Sequence, residues 1–229
     1  MGVVVSMLEL LRYLLVPALL VSSTLDAQQA NSSDIDVLLA KAGTGDVMAQ
    51  YQLARHYDSL EQTPENRKVA FQWMLSAAEQ GDSWAQAAVA SYYRPGRGVE
   101  RNPQKALHWY QKSSSQSNPA GNFGLGRMYY QGYGVSRNYE KAIQLYTMAA
   151  ITGHPSAQAA LGYMHDNGLG TKTDYIEAMK WYSLSAEKWH TAKHYVYYMK
   201  QKLEEASVIE ARERVNKFKN QYYTGASQQ

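Results

Sequence analysis

Apolar residues along this chain recur at steps of three and four, in short blocks separated by polar or glycine-rich breaks, and the blocks repeat every 36 residues. Counting from Gly45, Gly81, Ser117 and Gly153, a first block reads Leu53-Ala54-x-x-Tyr57, Val89-Ala90-x-x-Tyr93, Leu125-Gly126-x-x-Tyr129 and Leu161-Gly162-x-x-His165. A second block reads Ala70-x-x-Trp73, Ala106-x-x-Trp109, Ala142-x-x-Leu145 and Ala178-x-x-Trp181. It closes on a small pair each time: Ala77-Ala78, Ser113-Ser114, Ala149-Ala150 and Ser185-Ala186. Steps of three and four place the apolar residues on one face of a helix. A fixed period of this size means stacked supersecondary units, none of which buries its apolar face alone.

The third copy shows how a unit is punctuated. Phe123, Leu125, Met128 and Tyr129 fall at helical spacing, with Gly124 and Gly126 where another helix can approach closely. Gly132-Tyr133-Gly134 then ends the helix, and Asn138 starts the next, with Ala142, Leu145, Tyr146 and Ala149 on one face. The second copy uses Asn102 as N-cap and Pro103 at the first helical position. In the fourth, Asp174 and Glu177 have the spacing of a capping box. Each copy therefore predicts an antiparallel helix pair.

These motifs resemble the Sel1-like repeats, relatives of the tetratricopeptide repeats with a longer loop between helices. Leu-Gly-x-x-Tyr, the loops Gly96-Arg97-Gly98-Val99 and Gly132-Tyr133-Gly134-Val135, and Gly168-Leu169-Gly170 with Thr171 carry the resemblance. The first copy departs from it with Leu60-Glu61-Gln62-Thr63 and must turn by other means, through Pro64. The resemblance implies an all-α, right-handed α-solenoid over residues 42–200, in copies 42–80, 81–116, 117–152 and 153–188, with a partial copy at 189–200. In the partial copy Tyr197-Tyr198 replaces Leu-Gly, so the stack is expected to stop there. Residues 201–222 are expected to form a C-terminal capping helix, with Val208, Ala211, Val215, Phe218 and Tyr222 inward and the pairs Glu210/Arg214 and Glu213/Lys217 outward. Residues 223–229 read as a disordered tail.

The N-terminus follows a different pattern. Leu10 to Val21 is an apolar run broken only by Arg12 and Pro17, followed by small residues. A cation, a short apolar stretch and small residues describe a secretory signal peptide over 1–27, cleaved after Ser23 or Ala27, with translation starting at Met1 or Met7. The run is short for a membrane span, although an uncleaved anchor and a buried helix are the other readings. Residues 28–41 read as a polar leader, disordered over Gln28 to Ser33, running into the first helix. The expected location is secreted or periplasmic, with no stable membrane span after cleavage.

Composition narrows the function. A net charge of +3 without clustered Lys and Arg argues against a nucleic-acid partner. The chain has no cysteine, so thiolate chemistry and disulfides are excluded. His190 and His194 stand four apart, but no third ligand accompanies them; His165 takes a position that Tyr holds in the other copies and reads as a packed ring. No catalytic constellation, metal or cofactor is expected, and the chain is not read as an enzyme.

In arrays of the resembled kind the first helix of each pair lines the concave face. Offsets from Leu53, Val89, Leu125 and Leu161 then select a groove of Tyr51, Arg55, Ser91, Arg94, Phe123, Arg127, Tyr130, Tyr163 and Asp166, joined by Trp84 at the start of the second copy's helix. Aromatic and arginine side chains of this kind are typical of binding hot spots. Tyr51 and Phe123 either face the groove or pack between neighbouring copies. The resulting expectation is an adaptor or scaffold for another protein or peptide. A cell-wall glycan binder, or a hydrolase acting on β-lactams, are the other classes.

Overall fold

The computed structural model describes residues 25–223 of the 229, with side chains from Asp34 onward. The predicted signal segment up to residue 24, and residues 224–229, lie outside the described residues. Eleven α-helices follow one another: α1 (Leu25–Gly43), α2 (Val47–Ser59), α3 (Pro64–Glu79), α4 (Ser83–Tyr93), α5 (Pro103–Ser115), α6 (Pro119–Gln131), α7 (Tyr139–Ala150), α8 (Pro155–Asn167), α9 (Tyr175–Ala186), α10 (Ala192–Lys202) and α11 (Glu205–Tyr222). Among the described residues there is no strand. Helices α2 to α9 form four antiparallel pairs, each packing on the next, so the chain is an α-solenoid whose core runs along the stack.

Sequence fixes where each helix begins. The first helices of the pairs are capped by Asp46, Asp82, Asn118 and His154, whose side chains accept main-chain N–H groups. The second helices are capped by Thr63, Asn102, Asn138 and Asp174. A side-chain acceptor here satisfies an N–H that the helix leaves unpaired. Asp174 accepts from the Glu177 N–H at 2.8 Å. The reciprocal half of the expected capping box is missing, because the Glu177 carboxylate turns to Lys180 and Arg214 while the Asp174 N–H bonds to the His165 carbonyl.

Within a pair, glycine lets the helices touch. A Cβ on Gly126 would stand 2.8 Å from the Tyr146 ring, and one on Gly162 would stand 2.7 Å from Tyr182. Between pairs, the second glycine of each loop seals the joint: a Cβ on Gly134 would lie 2.9 Å from the Pro103 carbonyl oxygen, and Gly170 sits likewise on Tyr139. These contacts always reach the start of the preceding second helix. The loop of the first copy has no glycine; there α3 starts directly at Pro64 behind the Thr63 cap.

A buried polar ladder also joins the copies. Gln50, Gln86 and Gln158 donate through their amide nitrogens to Ala42, Ala78 and Ala150, the last carbonyls of the preceding helix. In the third copy Asn122 is too short to reach, and its Oδ1 accepts from Ser114 instead. Unpaired carbonyls at a helix end must find donors when buried, so each rung ties one unit to the next.

The ends depart from expectation. Helix α1 begins at Leu25, so Gln28 to Ser33 is helical rather than a disordered leader. Ile35, Leu38, Leu39 and Ala42 pack this helix on the first core cluster, which sustains helix through the polar stretch before it. At the other end, α10 buries Ala192 and Met199, which shifts its register to 35 residues after Ala157 and Met164. Tyr197 thereby takes the place of Gly162 and is 64% exposed. His190 precedes α10, so it and His194 do not share a helix face.

With α10 unable to admit a close neighbour, α11 packs along α9 instead. Ala211, Val215 and Phe218 are buried, with the Phe218 ring 5.1 Å from Trp181. Arg214 bonds to Glu210 at 2.7 Å as expected and also reaches Glu177 at 3.1 Å. Tyr222 is exposed, and Tyr223, expected in a disordered tail, takes its inward place: its hydroxyl accepts from the Gln158 amide at 2.7 Å. Gln80 and Gln116 donate to the Oε1 atoms of Gln50 and Gln86; Lys188, at the matching position of the fourth copy, makes no such bond, and the Tyr223 hydroxyl engages the Gln158 amide nitrogen instead.

Candidate functional site

At the joint between the second and third pairs the first helices α4 and α6 touch, whereas no two second helices approach to a similar degree. At that joint the first helices lie on the inner side of the bend, and their exposed side chains face a shared groove. Arg55, Ser91 and Tyr163 are exposed there, at the same offset in three copies. Arg127 occupies that offset in α6, half-buried with its guanidinium over the Phe123 ring.

Not all predicted groove residues are free. Phe123 stacks on His154 at 4.8 Å and packs against the second core cluster, and Tyr51 packs against the first, so both belong largely to the seams between copies. Asp166 is held by Lys202 at 2.9 Å, and Lys202 also lies over the Tyr175 ring. Trp84 is 51% exposed. It sits in the first turn of α4, about 15 Å along the helix from Arg94 at a rise of roughly 1.5 Å per residue.

The structure adds residues from the second helices. Tyr110, Tyr146 and Tyr182 recur 36 residues apart, and each reaches between two first helices. A Cβ on Gly124 would overlap the Tyr110 ring, while Gly126 and Gly162 admit Tyr146 and Tyr182. Their common spacing was visible in the sequence, but an offset rule confined to the first helices passes over them.

Burial raises the hydroxyl pKa of Tyr110, opposed by the guanidinium groups of Arg94 and Arg127. Burial likewise raises that of Tyr146, again opposed by Arg127. The Arg127 charge thus acts on two tyrosine hydroxyls, and that of Arg94 on the first. One copy further on, Tyr130, Tyr146, Ala160, Tyr163 and Met164 enclose a cleft of about 270 Å³. Tyr130 forms its wall, with ring centroids 5.7 Å from Tyr139 and 6.4 Å from Tyr163.

Charge in the groove is asymmetric. Its two carboxylates are both neutralised from within, Asp166 by Lys202 and Asp58 by Arg97 at 2.8 Å. Arg55, Arg94 and Arg127 form no ion pair with any described residue. The face is therefore net positive toward the middle copies and aromatic toward the fourth.

Little else in the described residues suggests reactive chemistry. No group of three His, Asp or Glu among them could hold a metal ion. His165 is a half-buried ring with its Nδ1 unpaired, and burial lowers its pKa. A second cleft of about 240 Å³ between α9 and α11 is lined by Glu177, Lys180, Arg214 and Lys217, of which Glu177, Lys180 and Arg214 are tied into the ion pairs that hold α11. None of the described helices is long and apolar enough to cross a membrane.

Stacked helix pairs with a side-chain-rich inner face define a repeat solenoid of the protein-interaction kind. The family model of the Sel1 repeat matches residues 47–82, 85–118, 119–154 and 155–188, more than half of the chain, and the chain belongs to that family. Among solved structures it is similar to a protective antigen present in uropathogenic Escherichia coli strains and displaying an SLR fold, at 29% identity and a TM-score of 0.75. That match covers 84% of this chain and 42% of the antigen, so the chain spans less than half of the antigen's length. A Sel1 repeat protein from Oxalobacter formigenes matches at 29% identity and a TM-score of 0.61, over 76% of this chain and 72% of that one. A sel1 repeat protein from Klebsiella pneumoniae subsp. pneumoniae shares the fold at 21% identity and a TM-score of 0.57, over 80% and 98%. No curated protein matches the chain at a significant level.

Proposed function

We propose that this protein is an exported adaptor that holds a segment of another protein in the groove formed by α4, α6 and α8. The observation that carries the reading is the groove itself: Arg94, Arg127, Tyr130 and Tyr163 converge on one face, with Tyr110 and Tyr146 rising between them. The seams on either side are packed into the core clusters, and a preformed groove loses little ordering entropy on binding. The apolar run Leu10 to Val21 supports export. Binding rather than catalysis is assigned, because the carboxylates of this face, Asp58 and Asp166, are engaged by Arg97 and Lys202, and its other titratable groups are arginines and tyrosines.

Photo-crosslinking in the native host tests the reading. A photoreactive residue at Tyr163, which is 44% exposed on the groove, captures one discrete protein, whereas one at the exposed Gln144 on the opposite helix layer does not. The product disappears in an Arg127→Glu background. Equal capture from both positions, or none from either, overturns the adaptor reading. Saturable retention on purified cell wall, independent of Arg127, would put glycan binding in its place.

A further inference from the structure

The groove carries two different seats one helix apart, and their chemistry restricts what lies in it. The first seat is between α4 and α6, which pack on each other: Arg94 ends α4, and the Tyr110 ring lies on Gly124 of α6, one turn before Arg127. Neither arginine has an anion among the described residues, although carboxylates are available: Asp58 and Asp166 lie on the same face and are engaged by Arg97 and Lys202. Arg127 is half-buried over Phe123 and Arg94 is half-buried at the end of α4, so both cations are partly desolvated and held in place. A guanidinium so placed gains more from an incoming carboxylate than a fully hydrated one does, and its planar fork suits that group.

The second seat is the cleft of about 270 Å³ between α6 and α8. Its walls are the rings of Tyr130, Tyr146 and Tyr163 with the Met164 thioether and Ala160 at the base, and it contains no charge. Rings and a thioether accept an apolar or aromatic side chain by edge-to-face and sulfur contacts. A carboxylate there would forfeit hydration against walls that carry no charge of their own.

We infer that the bound segment is an extended acidic peptide, with an Asp or Glu seated between Arg94 and Arg127 and an aromatic or large apolar side chain in the Tyr130–Tyr146–Tyr163 cleft. The inference rests on the adaptor reading above and adds the chemistry and spacing of its ligand. Packed helices such as α4 and α6 lie about 8–10 Å apart, which sets the scale of one step along the groove. An extended chain covers roughly 3.3 Å per residue, so the two anchoring residues are about three positions apart. Charge complementarity selects this occupant over a basic or neutral one.

The test uses the full chain as bait for a phage-displayed library of random 12-residue peptides, with Arg127→Glu, Arg94→Glu and Tyr163→Ala as parallel baits, each first shown to melt cooperatively. The expected result is enrichment of peptides with Asp or Glu three positions from Phe, Tyr, Trp or Leu. Their recovery falls at least tenfold on Arg127→Glu and on Tyr163→Ala. Selection on Arg127→Glu enriches Lys or Arg in place of the acid. Enriched peptides that depend on Tyr163 but carry no acid, or that bind Arg94→Glu and Arg127→Glu unchanged, overturn the inference and leave the adaptor reading standing. No enrichment sensitive to any of the three substitutions overturns both.

Discussion

The third pair and the end of the array begin with similar first helices and close in opposite ways. In α6, Gly126 lets α7 lie against it with Tyr146 inserted; in α10, Tyr197 takes the glycine's place, and α11 turns away to pack along α9. One side chain at one register position thus separates a helix that accepts a partner from one that ends the stack. The difference also sets the extent of the groove. Tyr146 and Tyr182 can rise between first helices because glycine admits them, and past Tyr182 the surface is closed by Tyr195 stacked on it at 4.8 Å and by Lys202 on Asp166.

Four substitutions or conditions probe that contrast. The largest effect belongs to Phe218→Ala: it removes the ring on Trp181 that substitutes for a fifth pair, and is expected to destabilise the chain by about 3 kcal/mol. Chemical denaturation followed by tryptophan fluorescence measures it, and a loss below that of an ordinary surface change would show that α11 does not cap the core. Gly126→Leu forces a branched side chain into the Tyr146 ring and is expected to cost about 1–3 kcal/mol through overpacking. An unchanged melting curve would remove glycine as the device that closes the third pair.

A smaller and pH-dependent effect is expected at His154, which caps α8 by accepting the Ala157 N–H at Nδ1 and stacks on Phe123. Burial lowers its pKa from the ordinary value of 6.5. A lowered pKa means the fold prefers the neutral ring: stability is complete above the unfolded value and is lost as pH falls from about 6.5 toward the folded value. His154→Asn, the residue that caps α6 at the matching position, is expected to flatten that loss in melting temperature between pH 7 and pH 5. Identical pH profiles would show that the cap does not titrate in this range. The smallest effect is expected for Tyr197→Ala, within about 0.5 kcal/mol, because the ring faces water. A large loss there would mean that the outer face of α10 is covered in solution.

Repetition made most of the fold legible. Four copies of the same apolar spacing, the N-caps Asn102, Asn138 and Asp174, and the loop glycines each stand at fixed offsets, and local physics alone turns them into helix pairs. Stacking follows because no pair can bury both of its faces by itself. The groove was only partly legible. Arg94, Arg127, Tyr130 and Tyr163 follow from an offset along the first helices, but the same rule selected Phe123 and Tyr51, whose rings the neighbouring copies absorb.

What the sequence determined by itself is therefore the periodic part: where helices start and stop, and which faces are apolar. Tertiary structure decided whatever depends on two copies at once. It brought the Tyr110 ring onto Gly124 of α6, spent Asp58 and Asp166 on internal ion pairs, shifted α10 by one residue, and placed Tyr223 against Gln158. The physical reason is range. Caps and helical faces are set by residues within a few positions of one another, whereas ion pairs and inserted rings join residues tens of positions apart, whose meeting is known only once the helices have packed.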